Sequence, residues 1–295
     1  MNDKTQATGP QIIEVASLEE PDLAPYRNQK DAWLRVQQSG GTGLGGLFIA
    51  EGEIVARELF ASMFGVRSVL ITPQRLRSMQ DAIEDLPNST KVYLAERPIA
   101  EQVVGFDMHR GVLALGVRGT PPEIADLARR ARCLLVLEGL SNHDNIGSLY
   151  RSLSALAPRP SAVVLGPRSA DPFYRKSLRV SMGHVLRIPT ARARDWPEDL
   201  KGLVEAGFET IALTPDPAAT PLSEAGLRCP TDRLALLVGA EGPGLTSQAM
   251  EAARHRLRIP MNDGVDSLNV AVSAAVALAT LCEAEHRRDA GVSAR

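Results

Sequence analysis

Residues 234–245 read LALLVGAEGPGL: an apolar run, Leu234–Val238, opens directly into Gly239-Ala240-Glu241-Gly242-Pro243-Gly244. Such a run suits a strand buried on both faces, which is the signature of a parallel sheet covered by helices. The glycines after it allow positive φ and expose backbone N–H and C=O groups to a ligand. Their order is G-x-x-G-x-G, not the dinucleotide fingerprint, and Glu241 among them suits a polar or cationic ligand better than a phosphate.

Working outward, Cys133–Leu137, Ala162–Leu165, Val185–Ile188, Thr210–Leu213 and Leu257–Ile259 are further strand candidates. Helical stretches at Ile146–Ala157, Pro197–Ala206 and Thr246–Ala253 alternate with them, predicting a mostly parallel α/β sheet. Ligands in such sheets bind where loops leave the C-terminal strand ends. Two more loops stand at such ends. In Ser141–Arg151, Asn145 is a candidate helix cap, and Arg151, six residues on, is expected to face the same cleft. In Ile259–Asn269, Ser267 is the candidate cap of a helix rich in alanine and valine, expected to be buried nearly all round.

The N-terminal part carries a second alternation. Leu47–Ala50, Val66–Thr72, Lys91–Ala95 and Gly111–Val117 read as strands, and Glu51–Phe64 and Gln74–Leu86 as amphipathic helices. The expected organisation is a flexible lead over 1–23, a small α/β domain over 24–118 and a linker with a short helix over 119–132. The main domain then covers 133–288, followed by a tail over 289–295. Gly119-Thr120-Pro121-Pro122 marks the break, because two prolines remove two backbone donors and fix φ.

Composition bounds the function. The chain has 295 residues, formal net charge −2 and 4% aromatic residues, so a base-stacking platform along single strands is disfavoured. Any RNA affinity must come from local basic patches, of which Arg168, Arg175, Lys176, Arg179, Arg187, Arg192 and Arg194 form the candidate. Cys133, Cys229 and Cys282 lie far apart and the five histidines are scattered, so neither a disulfide framework nor a metal site is expected. The start lacks a signal peptide, and the apolar run Val270–Cys282 is too short for a bilayer, so a cytoplasmic protein is expected. Gly41–Gly46 matches G-x-G-x-x-G but precedes a strand, which leaves it a plain loop. No G-x-S-x-G elbow of a serine hydrolase occurs.

Taken together, the three loops resemble the motifs of the SpoU (TrmH-type) branch of the SPOUT methyltransferases. Asn145–Arg151 looks like the first motif, Gly239–Leu245 like the second and Ile259–Ser273 like the third. The stretch from Arg175-Lys176-Ser177 to Ser181-Met182-Gly183 is similar to the segment between the first two. Phe48-Ile49-Ala50-Glu51-Gly52 looks like the start of the family's ribosomal-protein-like substrate-binding domain. The resemblance spans about Leu134 to Glu285. It implies a C-terminal trefoil knot, a homodimer, S-adenosylmethionine as cofactor, and methyl transfer to a ribose 2′-hydroxyl of RNA. Ribosomal RNA is favoured and transfer RNA left open.

Carried over by position, Asn145, Arg151, Glu241, Ser267 and Asn269 are the functional polar residues. Thr214, Gly239, Gly242, Ile259, Met261 and Leu268 would meet the cofactor. Arg168, Arg175, Lys176 and Arg179 are the candidate RNA contacts. Tyr150 departs from the family, which more often has an aliphatic residue there. The family view makes the matching arginine a general base; because a guanidinium normally stays protonated, orienting the hydroxyl or stabilising an alkoxide is the better role. Two rivals remain: a non-catalytic RNA-binding module of the same fold, and a doubly wound nucleotide-cofactor oxidoreductase, whose fingerprint is missing.

Overall fold

The computed structural model describes residues 9–15, 18, 20–27, 31, 34, 46–227 and 233–292, with side chains described through residue 282. The chain divides into two compact units, one of residues 1–120 and 173–187, the other of 121–172 and 188–295. The inserted segment Phe173–Arg187 thus packs with the first unit, although the sequence reading sets it inside the domain from 133 to 288.

In the first unit, strands β1 (Gln11–Glu14), β2 (Leu47–Glu51), β3 (Gly65–Ile71), β4 (Lys91–Leu94) and β5 (Val112–Val117) form a mixed sheet in the order β1-β4-β3-β5-β2. Helices α1 (Glu53–Phe60), α2 (Pro73–Ser78), α3 (Gln80–Glu84) and α4 (Arg97–Val104) connect its strands. Among the described residues of the lead expected to be flexible up to Leu23, part is ordered. β1 pairs in parallel with β4, and the 3-10 turn Pro21–Tyr26 buries Leu23 and Tyr26. Two apolar anchors and a four-residue ladder outweigh the polar composition of that stretch.

In the second unit, seven strands lie parallel. They are β6 (Cys133–Leu137), β7 (Ser161–Leu165), β8 (Thr190–Arg192), β9 (Phe208–Leu213), β10 (Thr220–Pro221), β11 (Arg233–Val238) and β12 (His255–Arg258). Their order is β10-β12-β9-β11-β6-β7-β8. β6 and β11 sit side by side in the centre, in register from Cys133↔Leu234 to Leu137↔Val238, and every residue of that paired stretch is apolar and buried. The strand expected at Val185–Ile188 is instead the 3-10 turn His184–Leu186, and the ladder resumes at Thr190. Gly183, at φ 82°, turns the chain ahead of it, and a Cβ there would meet the Glu58 side chain at 2.6 Å.

The helices of this unit are α5 (Ile124–Arg130), α6 (His143–Leu156), α8 (Glu198–Glu205), α9 (Ser247–Ala252) and α10 (Val270–Val292), with α7 (Arg175–Val180) belonging to the inserted segment. Two caps differ from expectation. α6 is capped by Asn142, whose side chain accepts from Asp144 N, so Asn145 falls inside the first turn. α10 is capped by Asn269 rather than Ser267, through Oδ1 accepting from Ala271 N at 2.9 Å. Nor is α10 buried all round: Val272 is 50% and Val276 38% exposed, on one stripe. Cys133 and Cys282 are buried free thiols; Cys229 and most of the Gly41–Gly46 loop lie outside the described residues.

Candidate active site

The sheet order explains where the site lies. β12, β9, β11 and β6 are successive neighbours and all parallel, so the loops leaving their C-terminal ends converge. They begin at Ile259, Thr214, Gly239 and Glu138 respectively. Together the first three enclose a cavity of about 620 Å³. Every residue expected at the cofactor lines it: Thr214, Gly239, Gly242, Ile259, Met261 and Leu268. Glu241, Ser267 and Asn269 line it as well.

The 239–244 loop is a closed turn. Ala240 N donates to Gly244 O at 3.2 Å and Gly244 N returns to Ala240 O at 3.0 Å. Gly242 and Gly244 take φ 86° and 72°, which side chains other than glycine rarely adopt. Gly239 is required for a different reason. A Cβ on it would stand 2.1 Å from the carbonyl carbon of Gly244 and 2.2 Å from Leu245 N, so any side chain would force the loop open.

Side chains from three loops meet at the rim. Asn269 Nδ2 donates to Asn145 Oδ1 at 3.0 Å, and Asn145 Nδ2 donates to Glu241 Oε1. Asn145 is buried and anchors the relay; Glu241 and Asn269 are exposed. Arg151 does not join them. It is exposed on α6 and, like Asn145, is absent from the cavity wall. Six residues turn a helix by about 600°, leaving the two side chains about 120° apart.

Volume, apolar walls from Leu213, Val238 and Ile259, and a few convergent polar groups together suit a small organic ligand. The carboxylates of Glu241 and Asp266 favour positive charge on it. Among the described residues no group of histidine, cysteine and carboxylate side chains could hold a metal ion.

The SpoU rRNA Methylase family profile matches residues 132–279, which contain this entire constellation. An uncharacterized tRNA/rRNA methyltransferase of Mycobacterium tuberculosis is 40% identical over 269 residues, 91% of either chain. The chain belongs to the SpoU rRNA methylase family. Solved structures with the same fold include an AdoMet-bound rRNA methyltransferase from Sinorhizobium meliloti, at TM-score 0.73 and 21% identity over 92% of this chain and 97% of that one. The SpoU methyltransferase AviRb of Streptomyces viridochromogenes, in complex with AdoMet, aligns at TM-score 0.67 and 21% identity over 87% and 96%.

The basic segment of this SpoU chain is largely neutralised within its own unit. Arg175 Nε donates to Asp31 Oδ1 at 2.9 Å, Arg179 stands 3.6 Å from Glu51, and Arg187 grips Glu58 through both carboxylate oxygens. Phe173 joins Phe48 and Phe64 in an aromatic cluster, with the Arg118 guanidinium 4.8 Å over its ring. In the second unit Arg194 pairs with Glu123. Arg168, at φ 57°, and Lys176 are exposed.

Tyr150 of this SpoU chain is fully buried behind the first motif, with its hydroxyl 2.7 Å from Thr190 Oγ1. The buried phenol is satisfied by β8, so the departure from the family pattern costs no open hydrogen bond. Sequence reasoning missed one residue of the site's frame, Glu138. Its signal was a carboxylate at the end of a fully apolar strand, where a charge is rare unless several donors meet it. No helix among the described residues is long and apolar enough to cross a membrane.

Proposed function

We propose that this SpoU protein transfers a methyl group from S-adenosylmethionine to a ribose 2′-hydroxyl of structured RNA, with ribosomal RNA favoured over transfer RNA. The observation that carries the reading is the Asn269–Asn145–Glu241 relay, which ties all three motif loops together at the mouth of one cavity. The residues present fit the cofactor. Gly239 leaves open a cradle that any Cβ would close, Thr214 offers a hydroxyl beside apolar walls, and the carboxylates suit a sulfonium cation.

Bound there, S-adenosylmethionine would supply an electrophilic methyl on its sulfonium. The chain's own residues have three tasks: hold the cofactor, present the hydroxyl in line with it, and accommodate the proton's departure. Gly239, Ile259 and Leu268 hold. Asn145 fixes Glu241 and Asn269 as polar walls. Arg151, being exposed, is available to orient the hydroxyl or stabilise a developing alkoxide.

A homodimer belongs to the same reading. The Val272–Val276 stripe of α10, with Leu268 39% exposed just before it, is an apolar face suited to a second copy. So do the knotted threading of the C-terminal unit, RNA contacts by Arg168, Arg175, Lys176 and Arg179, and action in the cytoplasm. Because Arg175 and Arg179 already pair with carboxylates, Arg168 is the stronger candidate.

The test is methyl transfer from labelled S-adenosylmethionine to ribosomal RNA and transfer RNA from a deletion strain, with the modified nucleotide mapped. Label resistant to alkaline cleavage at one ribose supports the reading. Label on a base, or none on either RNA, sinks it.

A further inference from the structure

We propose that Glu138 is a positioning residue that holds both feet of the 239–245 loop, and thereby sets affinity for the cofactor. The inference rests on the reading that this cavity takes S-adenosylmethionine.

Glu138 is 2% exposed and follows β6 directly. Its backbone N–H donates to Val238 O at 3.0 Å, the last residue before the loop. Its carboxylate reaches the first residue after it: Oε2 accepts from Thr246 N at 2.9 Å, and Oε1 from Thr246 Oγ1 at 2.7 Å. One residue therefore grips the loop where it leaves the sheet and where it enters α9.

The geometry of the carboxylate is itself fixed. Oε1 also accepts from Trp196 Nε1 at 2.8 Å. The Trp196 ring lies close above Gly166, where an added Cβ would meet it at 3.2 Å, so it has little room to shift. Three donors face two oxygens, which an acceptor-only carboxylate satisfies and an amide does not. Thr246 Oγ1 in turn accepts from Ala249 N at 3.2 Å, so its single proton is committed to Glu138. The next residue, Gly139, has φ 71°, and a Cβ on it would come within 3.2 Å of Ala240 Cβ. The first turn of the loop thus rests directly on the peptide after Glu138.

A loop held at both ends keeps Gly239 and Glu241 in place before ligand arrives. Released at one end, it must be ordered by the ligand, and affinity falls accordingly. A clamp serving stability alone would lower the unfolding temperature of ligand-free protein and leave the folded protein's affinity unchanged.

The experiment is calorimetric titration of the full chain with S-adenosylmethionine and with S-adenosylhomocysteine, for native protein, E138Q, T246V and T246S. Expected are Kd values raised more than fivefold in E138Q and T246V, and less than fivefold in T246S, which keeps the hydroxyl. Folded E138Q or T246V binding within fivefold of native overturns the proposal, as does T246S falling with T246V. If E138Q does not fold, the two Thr246 variants decide by the same threshold. Native protein that binds neither ligand refutes the cofactor reading itself, a result distinct from native binding with unchanged variants.

Discussion

Asn269 donates from Nδ2 to Oδ1 of Asn145 at 3.0 Å, across 124 positions of chain. The same Asn269 side chain caps α10 through its Oδ1, so the start of the last helix and the first turn of α6 are locked by one amide. Asn145 then passes the connection to Glu241. Asn145→Ala would remove its hydrogen bonds to the exposed Asn269 amide and Glu241 carboxylate, at about 0.5–1.5 kcal/mol each. Asn145→Asp would set a carboxylate against Glu241 and remove the donor between them. We expect methyl transfer to fall at least tenfold in both, and further in Asn145→Asp, measured in single turnover. Native rates in either variant would remove the relay from function.

Gly239 and Gly242 separate steric from conformational need. Gly239→Ala drives Cβ into backbone atoms of Gly244 and Leu245, so the loop must open, at about 1–3 kcal/mol, with cofactor affinity reduced at least tenfold. Gly242→Ala meets nothing within 4 Å and faces only its φ of 86°, on the order of 1 kcal/mol. Calorimetric binding should rank native above Gly242→Ala above Gly239→Ala. The reverse order would show that the loop is not used as described.

Alkaline pH should destabilise this protein through its buried phenols. Burial pushes Tyr150 and Tyr26 well above the usual tyrosine range, against the smaller opposing effect of hydrogen bonds to Thr190 and Ser68. A raised folded-state value means full stability below the unfolded value of about 10, then loss as pH rises through and beyond it. Each such phenol steepens the decline by about 1.4 kcal/mol per pH unit. Urea midpoints between pH 8 and 11 should fall less steeply in Tyr150→Phe, which gives up about 1 kcal/mol at neutral pH. Parallel curves for native and variant would contradict the assignment.

The exposed stripe on α10 makes a solution prediction. Val272→Asp with Val276→Asp places two charges on that face without touching the buried side of the helix. Light scattering should give a dimer mass for native protein and a monomer mass for the double variant, with the unfolding midpoint of diluted protein little changed. A native monomer at micromolar concentration would end the homodimer reading.

Much of the fold was legible because local chemistry and tertiary environment agree. Fully apolar runs such as Cys133–Leu137 and Leu234–Val238 have one stable use in a chain of this kind, the centre of a covered parallel sheet. The misreadings share a cause. The Gln11–Glu14 strand has no apolar alternation to announce it, since its partner β4 supplies the ladder. Val185–Ile188 has strand composition, but Gly183 turns the chain and the ladder bonds begin at Thr190. Asn142 and Asn145 are equally good caps by type; only the helix start decides which side chain reaches a free N–H.

The sequence by itself marked the loops after β6, β11 and the Leu257–Ile259 run as candidates, because a parallel sheet delivers the loops at its C-terminal strand ends to one edge. The family resemblance, carried over by position, named Thr214, Gly239, Gly242, Ile259, Met261 and Leu268, and all six line the cavity. Tertiary structure alone decided that Asn145, Glu241 and Asn269 form one relay, that Glu138 grips Thr246 across 108 positions, and that Arg151 stays exposed outside the relay. Hydrogen bonds of that reach depend on strand order, which brings β6 beside β11, and no local pattern encodes which strands become neighbours.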